Sequence, residues 1–170
     1  TAVSTVTKTA IDGGYKCTCT SPTLKDGSHT ISVKASDNDG NAAAAKTATF
    51  TVDTVPPTLQ ITAPSNDLIT NKKTVTVSGK TDDVSSKPVT VTVNGATVTV
   101  GTDGTFTKDV TLAEGANTIT IVAKDKAGKT TTVTRKVTVD TQAPVIKSVT
   151  LTPNPVDCGK TFIIAVEITD

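Results

Sequence analysis

Aromatic residues are scarce in this sequence, and their shortage limits what the chain can bind. Of the 170 residues 2% are aromatic, with no Trp, one Tyr and three Phe. Basic and acidic residues nearly balance, so the formal net charge is +1 and no basic stripe is present. Nucleic acid is therefore not an expected partner, because it needs cationic groups for its phosphates and rings for its bases. The apolar runs are only a few residues long, so no membrane span is predicted.

Catalytic motifs are also lacking. Histidine occurs once, as His29 in the segment KDGSHTIS, and nothing in the sequence places a nucleophile and a carboxylate beside it. There is no glycine-rich phosphate loop, no HExxH and no CxxC. The sequence therefore predicts a protein that is not an enzyme and requires no cofactor. The chain does not begin with Met and shows no signal peptide, which indicates a piece or a processed product of a longer chain.

The abundant residues indicate an all-β fold. Val, Ile and Thr are branched at Cβ, which restricts χ1, disfavours a helix and suits a pleated strand. Between residues 58 and 139, apolar residues alternate with Thr or charged residues in seven short segments. This period of two turns one face of each strand toward a core and the other toward water. Asn94-Gly95 and Asp103-Gly104 separate such segments, as expected of tight hairpin turns.

The chain also repeats itself. The segment FTVDTVPPTLQITAP at 50–64 is followed at 137–149 by VTVDTQAPVIKSV, and Asp53 and Asp140 are 87 positions apart. Upstream, TLKDGSHTISVKASDNDG matches TLAEGANTITIVAKDKAG at 111–128. Downstream, KTFIIAVEITD at the end of the chain matches KTVTVSGKTDD in its middle. A period of this length is typical of small sandwich domains in a tandem array.

The repeat divides the chain into three segments. Residues 1–54 correspond to the C-terminal part of a module, residues 55–141 to a complete module, and residues 142–170 to the N-terminal strands of a further module. Seven strands in a module of this size predict two antiparallel sheets with an immunoglobulin-like topology. The predicted fold class is therefore all-β, with immunoglobulin-like β-sandwich modules in tandem, one complete and two partial.

The Asp-Thr-x-x-Pro junction, the DGTF turn at 103–106 and the EGANTITIVAKDKAG hairpin at 114–128 resemble bacterial immunoglobulin-like (Big-type) tandem repeats. The resemblance covers essentially the whole chain. It implies the stalk of an adhesin or another cell-surface protein, or a structural protein of a phage virion. It therefore also implies an extracellular location, on a bacterial cell or a virion. The Cys…Trp…Cys core of antibody domains is missing, which argues against an antibody-type module.

Carboxylates concentrate where modules meet, which suggests calcium. In an immunoglobulin-like sandwich, the turn after the second strand and the turn between the last two strands lie at the end where the module begins. The preceding module also ends there, and hard oxygen ligands suit Ca²⁺. The first junction offers Asp53, Asp82, Asp83 and Asp125, and the second offers Asp140 and Asp170. The alternative is that these residues only form turns, in which Asp is common.

A second candidate calcium site lies inside the first segment. In SDNDGN, Asp37, Asp39 and Asn41 alternate around a glycine, like a fragment of a calcium loop. The bidentate Glu of an EF-hand is missing. The same residues also suit a plain turn.

The cysteines are odd in number. Cys17 and Cys19 are two positions apart on one predicted strand, a spacing that does not suit a disulfide, and Cys158 precedes a strand. Free thiols are the first expectation. If the two partial modules complete each other in neighbouring chains, Cys19 of one chain approaches Cys158 of the next and an intermolecular disulfide becomes feasible.

These predictions are compatible with three alternative functions. The first is a non-catalytic structural spacer, or stalk, that presents other domains or mediates adhesion. The second is a binding module with a weak site for carbohydrate, such as cell-surface glycans. The third is a filament subunit that assembles head to tail by completing a split module. In all three the expected partners include neighbouring immunoglobulin-like modules of the same or adjacent chains.

Overall fold

The computed structural model describes residues 6–152, 154–155 and 158–170. The first five residues of the 1–54 segment and positions 153, 156 and 157 of the 142–170 segment lie outside this description. Fourteen β-strands are present in the described residues, and no helix: β1 Val6–Ile11, β2 Gly14–Cys19, β3 Gly27–Val33, β4 Lys46–Val52, β5 Thr58–Ala63, β6 Leu68–Thr70, β7 Thr74–Asp82, β8 Thr90–Val93, β9 Ala96–Val98, β10 Thr105–Thr111, β11 Gly115–Lys124, β12 Thr130–Val139, β13 Val145–Thr152 and β14 Ile163–Thr169.

The middle segment forms a two-sheet sandwich. One sheet has the strand order β10-β7-β5 and the other β6-β12-β11-β8-β9. The alternation of apolar and polar residues in the sequence corresponds to an alternation of buried and exposed residues in the sandwich. Along β11, Ile119, Ile121 and Ala123 are fully buried, and the residues between them are more exposed. Together with Phe106 and the inward valines of the other strands, they make the one large core in the described part of the chain. The all-β fold with sandwich-like modules is confirmed.

Strand β6 was not predicted from the sequence. It is only three residues long, and it pairs with the end of β12 in parallel, with Leu68 opposite Val137. A strand this short carries too few alternations for its period to be recognised. It nevertheless extends the larger sheet, and the backbone N–H of Asp140 donates to the Thr70 carbonyl at 2.9 Å just beyond it.

Arg135 links the two sheets of the sandwich. It lies on β12, and its Nε donates to the Pro64 carbonyl at 3.1 Å while Nη2 donates to the Ile61 carbonyl at 3.4 Å. Both acceptors belong to the β5 side of the module. A charged side chain at this half-buried position is satisfied by backbone oxygens, as buried polar groups require.

The flanking segments form hairpins: β1 with β2, β3 with β4, and β13 with β14. Their apolar residues are largely exposed, because no facing sheet covers them within the described residues. Tyr15 and Phe50 lie on β2 and β4 but are 62% and 36% exposed, and Phe162, just before β14, is 49% exposed. Only Phe106, in the complete sandwich, is buried, at 3%. No helix in the described residues is long and apolar enough to cross a membrane.

Candidate metal centre

The repeated Asp-Thr pair shapes both junctions in the same way. Asp53 directly follows β4, and its Oδ1 accepts the backbone N–H of Val55 at 3.1 Å. Asp140 directly follows β12, and its Oδ1 accepts the N–H of Gln142 at 3.0 Å. Each Asp therefore closes a local turn with the residue two positions on, which is a common use of this side chain.

The Thr of each pair is held by a carboxylate from an earlier turn. The N–H and Oγ1 of Thr54 donate to the two oxygens of Asp26 at 3.1 and 2.9 Å. Thr141 donates in the same way to Glu114, with both distances 2.8 Å. The backbone N–H of Thr141, and then its hydroxyl, lowers the pKa of the Glu114 carboxyl below its ordinary value. We call this pair of hydrogen bonds the exit clamp, because it fixes the chain where it leaves a module.

At the first junction, the turn after β7 reaches the end of the preceding segment. Asp83 folds this turn by accepting the N–H groups of Ser85 and Ser86 at 2.8 and 2.7 Å. The Oγ of Ser85 then donates to Oδ1 of Asp53 at 3.1 Å. The two modules are therefore joined by a direct hydrogen bond, and Asp53 and Asp83 are brought together.

The turn between β11 and β12 brings the third carboxylate. Oδ1 of Asp125 accepts the N–H of Lys129 at 2.8 Å and so closes the turn. The turn is attached to the β7 turn through Ser86, whose Oγ accepts the N–H of Ala127 at 2.8 Å and whose carbonyl accepts the N–H of Lys126 at 3.1 Å. Ser86 is 8% exposed, so this attachment is shielded from water.

These turns create a compact carboxylate cluster, defined here as Asp53, Asp83 and Asp125. One oxygen from each residue lies within 4.8 Å of the other two. The residues are 9%, 5% and 5% exposed. The Oδ2 atoms of Asp53 and Asp125 are buried and accept no hydrogen bond. Three carboxylates at this distance repel one another, and buried charges are usually paired or bound to a metal.

No side-chain cation neutralises the cluster within the described part of the chain. Lys87 is near, but its Nζ pairs with Asp82 at 2.8 Å. A hydrogen bond from Lys87, followed by its charge, lowers the pKa of the Asp82 carboxyl. Asp82 was predicted as a ligand together with Asp83, but Asp82 is the exposed last residue of β7, is paired with Lys87, and lies outside the cluster.

The remaining predicted ligands do not come together in the described residues. Asp140 and Asp170 are both exposed and belong to no group of three metal-ligating side chains. In the SDNDGN loop, Oδ1 of Asp37 accepts the N–H groups of Asp39 and Asn41, and Oδ2 accepts Nδ2 of Asn41 at 2.7 Å. The side chain of Asn41 is therefore the main cause that lowers the pKa of the Asp37 carboxyl. These three residues form a closed turn.

The cysteines are free thiols. Cys17, Cys19 and Cys158 are all exposed and none forms a disulfide within the chain. A bond between Cys19 of one chain and Cys158 of another remains a prediction.

The sequence did not identify Ser85 and Ser86, which join the two turns of the cluster. The available signal was the segment Asp83-Val84-Ser85-Ser86, because Asp followed by Ser favours a turn closed by the Asp side chain. These serines also line a cleft of about 400 Å³ beside the cluster. Its other walls are Thr49, Phe50, Thr51, Asp53, Lys87, Lys126 and Ala127.

Comparison with known proteins finds two family models and one sequence relative. Residues 57–141 match the family model described as glucodextranase, domain B, and residues 1–54 match that of a bacterial Ig-like domain. Bacillopeptidase F of Bacillus subtilis (strain 168) is 34% identical over 140 residues, which is 82% of this chain. The chain spans only 9% of the length of that relative.

Two solved structures match the chain at low sequence identity. The fibronectin(III)-like modules of CbhA from Clostridium thermocellum are 20% identical over 81% of this chain and 78% of that chain, with a TM-score of 0.43. A tetra-tandem repeat from the extending region of a large adhesion protein is 23% identical over 94% of this chain and 50% of that chain, also with a TM-score of 0.43.

The family assignment follows from the sequence matches. The domain B model covers half of the chain, and the Ig-like model covers the segment before it. The chain therefore belongs to the bacterial immunoglobulin-like modules, and its middle segment is a member of the glucodextranase domain B family.

Proposed function

We propose that this chain is a non-catalytic spacer in a bacterial extracellular protein, where it holds attached domains apart. The path of the chain at the junctions is the observation that supports the spacer proposal most. Each Asp-Thr pair turns the chain directly from the last strand of one module toward the first strand of the next, and the exit clamp fixes that path. A rigid, short connection is what a spacer requires, whereas a flexible linker lets modules fold back.

The histidine supports a role without catalysis. Nε2 of His29 lies 2.7 Å from the Lys25 carbonyl, and the ring stacks on Phe50 with 5.7 Å between centroids. The side chain is thus occupied in local structure. In Bacillopeptidase F, whose name denotes a peptidase, the matching region is a small fraction of the protein. We infer that the chain similarly accompanies other domains and does not itself carry their activity.

The cleft beside the cluster favours a second candidate, weak adhesion to glycans. Phe50 is 36% exposed there, and Ser85, Lys87 and Lys126 offer hydroxyl and cationic groups. An aromatic face beside polar groups is a common arrangement in ligand sites. Binding that appears on a glycan array and is lost in Phe50→Ala favours this candidate over a plain spacer.

The spacer proposal is tested by changing the number of modules. Residues 55–141 are duplicated within the chain, and small-angle X-ray scattering compares the maximum dimension with that of the parent. The ten-residue strands of the sandwich imply an increase of about 30–40 Å. An unchanged dimension means that the modules fold back on one another, which contradicts the proposal.

The same samples test head-to-tail assembly, because light scattering reports molar mass. A monomer at all concentrations agrees with a spacer. A concentration-dependent ladder means that the partial modules complete one another, and its loss on reduction means that an intermolecular disulfide, such as the predicted Cys19–Cys158 bond, holds them.

A further inference from the structure

We propose that the middle module bears tension, and that the contacts between residues 57–70 and residues 131–140 resist it. We call these contacts the terminal zipper, because they join the segment by which the chain enters the module to the strand by which it leaves. This load-bearing role deepens the proposed spacer function and rests on it, since a spacer between two attached domains is pulled at its two ends. Mechanical strength is nevertheless a separate property, because a module can hold domains apart without resisting force.

The two sides of the zipper run in the same direction. β6 pairs with β12 in parallel, from Leu68 opposite Val137 to Thr70 opposite Val139. Every other strand pair of the middle module, all of which lies within the described residues, is antiparallel. Because the entering segment and the leaving strand are parallel, the chain enters at one end of the zipper and leaves at the other.

Two hydrogen bonds extend the pairing of β6 at its two ends. Before the strand, the backbone N–H of Lys136 donates to Oδ1 of Asn66 at 3.0 Å, so a side-chain amide takes the place of a backbone carbonyl. After the strand, the N–H of Asp140 donates to the Thr70 carbonyl at 2.9 Å. The pairing therefore reaches Asp140, where the chain leaves the module.

Two side chains of β12 carry the zipper toward the point of entry. Arg135 donates to the carbonyls of Pro64 and Ile61. Nearer the start of β12, Oγ1 of Thr131 donates to the carbonyl of Pro57. Pro57 is itself fully buried. The residue at which the chain enters the module is therefore fixed to the beginning of the strand by which it leaves.

The β6 end of the zipper is shielded from water. Val137 and Val139 are each 1% exposed, and Leu68 packs against the core to which they belong. Hydrogen bonds in such surroundings are strong, and they are not readily exchanged for bonds to water when the strands begin to part. The shielding therefore slows the first step of separation.

Tension on the module acts along the zipper. Force that arrives at Pro57 and leaves at Asp140 pulls the two parallel segments in opposite directions along their length. All the bonds of the zipper then carry the load together, so several must break before the segments slide. Two strands pulled apart from one end instead break their bonds one after another. Because forced unfolding is governed by the unfolding rate, the zipper raises the force that the module withstands without requiring greater equilibrium stability.

The test pulls single molecules of the full chain in two directions with optical tweezers. Val55→Cys with Gln142→Cys attaches the handles so that force acts along the zipper. Val55→Cys with Ala127→Cys pulls across it, because residue 127 lies in the turn before β12, at the end where Pro57 lies. In both variants Ser replaces the three native cysteines, Cys17, Cys19 and Cys158.

Pulling along the zipper is expected to require the higher unfolding force. That event is recognised by a lengthening of the tether of about 250–300 Å, because an extended chain spans about 3.3–3.6 Å per residue.

Two asparagines supply a matched pair of variants. Oδ1 of Asn66 accepts the N–H of Lys136 at 3.0 Å, and Oδ1 of Asn94 accepts the N–H of Thr120 at 2.8 Å, but only Asn66 belongs to the zipper. Asn66→Gly is expected to speed unfolding along the zipper by about tenfold at a given force, as the loss of one such bond implies. Asn94→Gly keeps a residue suited to the positive φ of its turn. It is expected to lower the melting temperature to a similar extent and to leave the rate of unfolding along the zipper unchanged.

Two results overturn the proposal. One is an equal unfolding force along and across the zipper. The other is an Asn94→Gly chain that unfolds along the zipper as fast as the Asn66→Gly chain, because the effect then reflects lost stability alone. Either result leaves the spacer function intact. A chain that fails the scattering test but needs more force along the zipper than across it keeps the mechanical property and loses the spacer function.

Discussion

The two residues of each Asp-Thr pair have separate tasks. The Asp closes a turn onto its own backbone, and the Thr is clamped by a carboxylate that lies 27 or 28 positions earlier. Repetition in the sequence revealed the pair, and the concentration of Asp at the junction suggested calcium. The sequence could not show which of the four carboxylates of the first junction come together. Their grouping depends on the strand face and the turn to which each one belongs. Serine is an ordinary surface residue, so the composition did not single out the two serines that attach the turns to one another.

The exit clamp predicts a lowered pKa for the Glu114 carboxyl. Its pKa is lowered from 4.5 by the N–H and hydroxyl of Thr141. Because the folded-state pKa is depressed, the clamp stabilises the fold above the unfolded-state pKa, and this contribution is lost as pH falls through the folded-state value. NMR titration of the Glu114 side chain is expected to give a midpoint below 4.5, moving upward in Thr141→Val. A midpoint at or above 4.5 in the parent contradicts the clamp.

Phe106 gives a prediction about the core. It is 3% exposed on β10, whereas Tyr15, the matching residue of the first segment, is 62% exposed. Truncating a buried Phe costs roughly 3–5 kcal/mol, so Phe106→Ala is expected to lower the unfolding midpoint of the middle module sharply. Tyr15→Ala serves as the control and is expected to leave that midpoint nearly unchanged. Equal effects on the midpoint contradict the inward orientation of Phe106.

At the scale of strands, the period-two alternation identified the strands of the sandwich from sequence. It succeeded there because each strand has one face in the core and one in water, as the burial along β7 and β11 shows. It missed β6, whose parallel pairing with β12 is set by tertiary contact. The apolar residues of the flanking hairpins are largely exposed, because an alternating strand buries one face only when a second sheet covers it.

The close packing of β5, β7 and β10 predicts that Gly79 cannot be replaced by a residue with a Cβ without loss of stability. A Cβ at this position lies 2.5 Å from the Gln60 carbonyl oxygen and 2.8 Å from the ring of Phe106. Because a Cβ at these distances forces the backbone of Gln60 and the buried Phe106 ring to shift, Gly79→Ala is expected to destabilise the middle module by about 1–3 kcal/mol in chemical denaturation. Gly14→Ala, where a Cβ meets nothing within 4 Å, is the matched control. A Gly79→Ala protein as stable as the parent shows that these strands are less tightly packed than described.

The chain as a whole is a succession of modules, and specific hydrogen bonds fix the junction between the first segment and the middle module. The repeat period indicated this organisation without structural information, because a self-contained module must bring its own core and turns each time. What repetition could not indicate is that matching turns differ in detail. Asn41 and Lys129 stand at the same position, yet only one of the two turns keeps an Asp oxygen without a partner. A repeated sequence therefore does not imply that every joint has the same properties.

The decisive measurement is backbone ¹⁵N relaxation on the full chain, comparing amides of β4 with those of β7 and β12. One common rotational correlation time is expected, because the turn closed by Asp53 and the Ser85–Asp53 hydrogen bond hold the first segment against the middle module. A shorter correlation time for β4 than for β7 and β12 would contradict the rigid junction on which the proposed spacer depends.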